Sequence, residues 1–291
     1  MEIGIGLPGT VPGVDGERLV EWARRADDHG FSTLGTIDRI VYPNYEPLVA
    51  LAAAAAVTAR IRLTTSILIA PLRPNAVLLA KQAATLHHLS GGRLVLGLAP
   101  GSREDDYEVS GIDMRTRGRE FDRQLEQMKR VWAGEEKGFA GPVGPNVDEP
   151  PRLLIGGTVD ASFRRAARYG DGWIMGGGDP QDFPKALEKL KSEWTAAGRE
   201  GQPRTATLAY FSLGPDAKKN ADWYLRDYYG WLGDEVSGYI AQGAALDETA
   251  VAQTVATHGE VGSDELIFFP CSSDPGQVDL LAQAVGTVAR P

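Results

Sequence analysis

The chain predicts an α/β protein folded as a (β/α)8 barrel of the TIM type, a single domain over residues 1–291, with a helical insertion between strand seven and helix seven. Three observations carry this. Short β-branched runs alternate with longer amphipathic runs eight times. The length of 291 residues suits eight such units with modest insertions. No lasting change of composition divides the chain. A doubly wound sheet, the structural alternative, more often has about five to seven strands and a second domain after a break.

The elements follow in order. Residues 3–7 read as the first strand, and residues 16–29 as a helix with Leu19, Val20, Ala23 and Ala26 at helical spacing. Gly30 ends that helix, because glycine tolerates the left-handed turn that closes one. Residues 33–37 form strand two, and residues 47–59 a helix with proline in its first turn. Residues 61–69 are the clearest strand, and residues 75–89 a helix closed by Ser90, Gly91 and Gly92. Strand four spans 94–98 and helix four 117–132. Residues 134–151 are rich in glycine and proline and read as a surface loop. The rhythm then resumes with strands at 152–155, 172–175, 205–211 and 265–269. Helices are expected at 160–169, 181–197, 248–258 and 276–288, and the inserted helical segment at 216–245.

Composition narrows the function classes. Hydrophobic residues are 43% and charged residues 24%, ordinary for a soluble globular protein. The net charge of −9 argues against nucleic acid or an anionic membrane as the main partner. The most apolar stretch, residues 48–57, is too short for a bilayer, which needs roughly 20 residues. The N-terminus lacks the basic flank and apolar run of a secretion signal. One cysteine, Cys271, allows no intrachain disulfide and no cysteine zinc site. A reducing cytoplasm is the expected location.

The motifs point to a bound cofactor. Gly4 to Gly9 spell GxGxxG, but no helix follows to receive a pyrophosphate, so that pattern is set aside. Leu153, Leu154 and Ile155 lead into Gly156, Gly157 and Thr158 just before a helix. Exposed N–H groups at such a turn suit a phosphate. An ordinary strand–helix turn capped by Thr158 or Asp160 is the plain alternative. Asp38 and Arg39 follow strand two, on the face where barrels place catalytic groups; a surface salt bridge is the rival reading. The run 103–106, on the same face, reads as a solvated charge cluster. His29, His87, His88 and His258 fall at helix ends, none at metal-ligand spacing. No GxSxG elbow or Walker loop occurs. With no protein nucleophile and no metal evident, the reactive group is expected to be a cofactor.

Several segments closely resemble the bacterial luciferase-like monooxygenase superfamily. They are residues 61–72, 79–86 and 89–97, Arg117-Gly118-Arg119, Leu154 to Gly157, and Arg165 to Trp173. The resemblance runs from residue 1 to about 180 and resumes weakly at 262–269. It implies a barrel that binds reduced FMN or the deazaflavin F420 across the strand C-termini. It further implies that the cofactor phosphate sits at Gly156, Gly157 and Thr158, and that the ring rests on a strand-three bulge with a cis peptide at Ser66–Ile67. Gly97, Gly101 and Ser102 complete the implied cofactor set, and Asp38 matches the acid after strand two. The chain departs from the family's patterns in three places. Arg39 stands where luciferase has histidine, Pro100 where several FMN members have arginine, and Ser102 near the glutamate of the F420-dependent sugar-phosphate dehydrogenases.

The leading expectation from this resemblance is a monooxygenase using reduced FMN and O2 on a small organic substrate, with Asp38 and Arg39 as catalytic candidates and a separate flavin reductase as partner. F420-dependent hydride transfer, with Asp38 positioning or protonating the substrate, is the alternative; a non-catalytic flavin-binding protein is another. Tyr224, Tyr228, Tyr229, Trp231 and Tyr239 of the insertion are candidates for pocket lining, although such a stripe is more commonly packing. Residues 48–57, apolar on every side of their helix, together with the family habit of pairing through N-terminal helices, predict a homodimer.

Overall fold

A computed structural model describes residues 1–288. Buried barrel strands alternate with helices that return the chain over the outside. In chain order these are β1 (Glu2–Gly6), α1 (Gly16–Asp28), β2 (Thr33–Thr36), α2 (Pro47–Ala55), β3 (Arg62–Thr65), β4 (Leu68–Ile69), α3 (Ala76–Leu89) and β5 (Leu94–Ala99). After β5 come α4 (Glu104–Val109), α5 (Arg117–Trp132), a small hairpin of β6 (Lys137–Gly138) and β7 (Gly141–Pro142), then β8 (Arg152–Gly156), α6 (Asp160–Tyr169), β9 (Gly172–Met175) and α7 (Phe183–Ala196). The last part holds β10 (Arg204–Phe211), α8 (Ala217–Tyr228), α9 (Asp234–Gln242), α10 (Glu248–Glu260), β11 (Glu265–Pro270) and α11 (Gly276–Val288).

Parallel pairing runs β1, β2, β3, β5, β8, β9, β10, β11 and back to β1, with β4 continuing β3 alongside β5. The sheet therefore closes into the expected eight-stranded barrel. The helices bury one face against it. Trp22, Leu51, Phe121 and Phe163 are fully buried between helix and strand, each worth about 1.5–3 kcal/mol relative to exposure. Inside the ring, Leu154, Ile174 and Ala206 form a separate cluster with Ile67, Val95 and Leu208.

Local signals set most boundaries. Asp15 caps α1 by accepting from Arg18 N at 2.8 Å, and Gly30 closes it with φ +76°. Asn75 caps α3, and Asp247 caps α10. Four features differ from the sequence expectation. Helix α2 stops at Ala55 rather than 59, because the Asp27 carboxylate takes the N–H groups of Ala59, Arg60 and Ile61 at 2.7–3.0 Å. Strand three is interrupted at Ser66–Ile67, where the peptide is cis as the resemblance implied. The charge run 103–106 opens the short helix α4, and the loop 134–151 holds a two-rung hairpin.

The insertion divides into α8 and α9 around a turn at Gly230–Leu232. It leaves and returns at one point: Ala245 N donates to Tyr210 O at 2.9 Å, and Ser212 N donates to Ala245 O at 3.0 Å. Among the described residues no helix is long and apolar enough to cross a membrane.

Candidate active site

The strand C-termini converge on one mouth, and glycines shape its floor. A Cβ on Gly6 would lie 2.3 Å from the Phe269 ring, and one on Gly35 2.9 Å from it. Phe269 therefore lies flat over β1 and β2 where side chains are missing. Opposite, a Cβ on Gly156 would lie 2.1 Å from Ile67 Cδ1, so the bulge side chain reaches across β8. Ile67 and Leu208 both border Gly176 and pack against the same interior cluster. The floor is thus apolar, made of Ile67, Leu208 and Phe269. The Ser66 hydroxyl is buried beside Gly35 and has no hydrogen-bond partner. A buried, unpaired hydroxyl at an apolar floor is a place for a ligand's polar atom, because leaving it unmet costs about 1–3 kcal/mol.

The bulge is held from two sides. Ser66 N donates to Thr36 O at 2.6 Å. Asp38, 3% exposed, accepts from Ile69 N at 2.8 Å and from both Arg73 nitrogens at 2.7 and 3.1 Å. Burial raises the Asp38 carboxyl above its ordinary range, with Arg73 and the Ile69 N–H opposing the shift. Arg39 is equally committed. Its guanidinium meets Asp106 at 2.8 and 3.3 Å, and Asp106 also accepts from Ile40 N and Val41 N. The charge run thus contains one carboxylate with no solvent exposure, which the sequence placed in solvent.

Gly97, Gly101 and Ser102 surround the base and rim of β5. Gly97 faces backbone, with its would-be Cβ 2.0 Å from Thr65 O. Gly101 turns the chain at φ +70° against Ile69, and Ser102 is exposed at the rim. Tyr107 donates to Pro100 O, and burial pushes its phenol up to about 12.

The Gly156, Gly157 and Thr158 turn stands at the rim before α6. Gly157 has φ +111°, and its carbonyl accepts from the buried Trp173 indole at 2.7 Å. Neither Thr158 nor Asp160 caps the helix. The N-cap is Val159, without a side-chain hydrogen bond; Ser162 N donates to Val159 O at 2.8 Å, which leaves the Asp160 and Ala161 N–H groups as the first-turn donors for a ligand. Asp160 carries a negative charge there, paired with Lys189 at 2.8 Å.

The insertion roofs the mouth. Tyr224 bonds Thr10 at 2.6 Å, Tyr42 donates to Asp227 at 2.6 Å, Arg103 stacks on Trp231 at 4.9 Å, and Tyr210 bonds Tyr229 at 2.8 Å. Tyr224 and Tyr228 are buried packing, while Trp231 and Tyr239 are exposed. Sequence reasoning missed Phe269, Tyr210, Arg73 and Asp106. The first two carried a usable signal, an aromatic at the C-terminal end of a barrel strand.

The family profile described as luciferase-like monooxygenase matches residues 1–289. The chain belongs to that family. This luciferase-like chain is 30% identical over 236 residues to an uncharacterized protein of Mycobacterium tuberculosis, covering 69% of this chain and 81% of the relative. It is 29% identical over 202 residues to an F420-dependent glucose-6-phosphate dehydrogenase of Amycolatopsis mediterranei, covering 63% and 58%. In fold, this luciferase-like barrel matches an F420-dependent secondary alcohol dehydrogenase in complex with an F420–acetone adduct, at TM-score 0.83, 19% identity and 99% of both chains. It also matches the monooxygenase RslO1 of Streptomyces bottropensis at TM-score 0.78, 24% identity and 99% of both chains. Named members of the luciferase-like group are thus oxidoreductases, both F420-dependent dehydrogenases and monooxygenases.

Proposed function

We propose that this chain is an F420-dependent oxidoreductase that moves a hydride between the deazaflavin and a small organic substrate. The observation that carries the reading is the apolar floor of Ile67, Leu208 and Phe269, running to the Gly156–Thr158 turn. A flat ring needs such a floor, and a phosphate needs such a turn. The choice of F420 over FMN draws on the curated relatives named as F420-dependent, at 29% and 28% identity.

The residues present fit the group. Ile67, Leu208 and Phe269 would support its ring, the Ser66 hydroxyl would meet one polar atom, and Gly157, Thr158 and the start of α6 would take the phosphate. Bound in reduced form, F420 supplies a hydride. Asp38 and Arg73 hold β4 behind the bulge, and Arg39 with Asp106 holds the loop after β2; we assign both pairs to positioning. The insertion excludes water from the mouth, which strengthens every polar interaction inside it.

Fluorescence titration with F420, FMN and reduced FMN tests this. F420 is expected to bind more tightly than either flavin by at least tenfold. Tighter binding of reduced FMN, with substrate-dependent oxygen consumption, would favour the monooxygenase reading instead. Gly157→Val is expected to weaken F420 binding by tenfold or more. Its Cβ would lie 2.5 Å from Ser162 Oγ in a left-handed backbone, and the side chain would crowd the phosphate turn. Unchanged affinity in that variant would move the phosphate elsewhere.

We also propose a homodimer through the outer face of α2. Val49, Ala53 and Ala56 are exposed at helical spacing, with Leu78 of α3 also exposed. Light scattering at micromolar concentration is expected to give twice the 31.2 kDa chain mass; a single-chain mass would contradict it.

A further inference from the structure

We propose that Tyr229 exchanges a proton with the substrate oxygen and that Tyr210 positions it. The proposal rests on the hydride-transfer reading above. It makes the substrate a carbonyl compound or the alcohol derived from it.

Elimination leads to these residues. Reducing a carbonyl requires a proton for the oxygen as well as a hydride for the carbon. The carboxylates at the mouth are committed elsewhere. Both Asp38 oxygens accept from Arg73, one of them also from Ile69 N, and Asp106 is enclosed by Arg39, Ile40 N and Val41 N. Asp105 pairs with Arg103 at 2.9 Å. The four histidines lie at the ends of α1, α3 and α10, away from the strand C-termini. Cys271 is 1% exposed, and burial pushes its thiol up. Tyr42 is held by Asp227, and Tyr224 by Thr10.

Placement supports the remaining pair. Ala206 and Leu208 of β10 belong to the cluster inside the barrel. Side chains on one face of a strand recur every second residue, about 7 Å apart, so Tyr210 stands one layer above Leu208. Leu208 and Ile67 both border Gly176 and pack against one cluster, which puts Tyr210 on the side of the barrel where a ring resting on Ile67 would lie. Tyr210 also packs against Phe269, with ring centroids 6.5 Å apart. Tyr229 reaches it from the end of α8, with the two hydroxyls 2.8 Å apart. Both side chains are half-buried, whereas Tyr224 and Tyr228 behind them are buried.

The pair is also polarised. Burial raises both phenols, and with Tyr210 O–H as the donor the hydrogen bond opposes the rise on Tyr229. We adopt that direction, which leaves the Tyr229 O–H free for the substrate oxygen. In the reducing direction the substrate carbon gains a hydride from the reduced cofactor, and the C=O π pair moves to oxygen. That oxygen takes the Tyr229 proton. The phenolate left behind accepts from Tyr210 O–H and is reprotonated from water. In the oxidising direction each transfer reverses, and Tyr229 acts as the base.

The test uses the full chain with Tyr229→Phe and Tyr210→Phe. F420 affinity is read by fluorescence, thermal midpoint by calorimetry, and turnover with reduced F420 on a panel of small aliphatic and cyclic ketones. Tyr229→Phe is expected to keep F420 affinity within twofold and the thermal midpoint within a few degrees. Its kcat is expected to fall roughly a hundred- to ten-thousand-fold, the usual worth of a general acid. Tyr210→Phe is expected to lose less. It should move the rising limb of the alcohol-oxidation pH profile upward, and the Tyr229 ring NMR titration with it, because the phenolate loses its donor. A Tyr229→Phe protein that binds F420 and keeps kcat within threefold overturns this proposal alone. So does F420-bound wild type that reduces none of the ketones. Wild type that fails to bind F420 overturns the cofactor reading and this proposal together.

Discussion

Replacing Asp106 by alanine is expected to destabilise the fold by about 3–5 kcal/mol, the range for breaking a buried ion pair from one side. Asp106 has no solvent exposure and receives four hydrogen bonds, two from the Arg39 guanidinium and two from the Ile40 and Val41 N–H groups. Alanine leaves the Arg39 charge buried, with 6% exposure, and two backbone donors unmet. Asp106→Asn should cost less, since an amide oxygen can still accept from the backbone. Urea unfolding of the two variants beside wild type measures the order. A loss below 1 kcal/mol for the alanine variant would mean that the loop after β2 rearranges to hydrate Arg39.

A methyl group at Gly97 is expected to cost about 3 kcal/mol or more, at the upper end of overpacking effects. Its Cβ would lie 2.0 Å from the Thr65 carbonyl oxygen. That atom is backbone and has no rotamer to escape into. Relief requires β3 and β5 to part, which also stretches the Thr65 Oγ1 bond to Gly97 O, now 2.7 Å. Gly156→Ala is the informative control. Its Cβ would lie 2.1 Å from the far end of Ile67, which can swing away, and 3.3 Å from the Ala99 Cβ, a contact that needs only a small adjustment. The control should fold and lose cofactor affinity, whereas Gly97→Ala should lose soluble yield and thermal midpoint. Equal thermal midpoints for Gly97→Ala and wild type would show that the strand junction has slack.

The alternation of strands and helices was legible because each barrel strand is buried and apolar and each outer helix carries one apolar face. What escaped depends on partners distant in sequence. Nothing near residues 55–59 announces the end of α2; the carboxylate of Asp27, about 30 residues earlier, ends it. The commitment of Asp38 was equally invisible, since Arg73 lies 35 residues away. Asp106 sat within a charge run and looked solvated; only the fold brings Arg39 over it. The β6–β7 hairpin has two residues per strand, too short for any periodicity. The Gly156–Thr158 turn between strand and helix was readable because its residues are contiguous, and the apolar floor was half readable. Ile67 was marked only by the family resemblance, while Phe269 needed the glycines of two other strands to give it room.

The roof over the mouth departs from Tyr210–Ser212 and comes back at Ala245, joined there by two backbone hydrogen bonds. Because the ends of the segment already touch, the cost of closing it changes only slowly with its length. The turn at Gly230–Leu232, between α8 and α9, is therefore the place where length can change, while Tyr224, Asp227 and Tyr229 keep the segment tied to the barrel. A change there would alter the cover over the mouth and leave Ile67, Phe269 and the Gly156–Thr158 turn, encoded elsewhere, as they are.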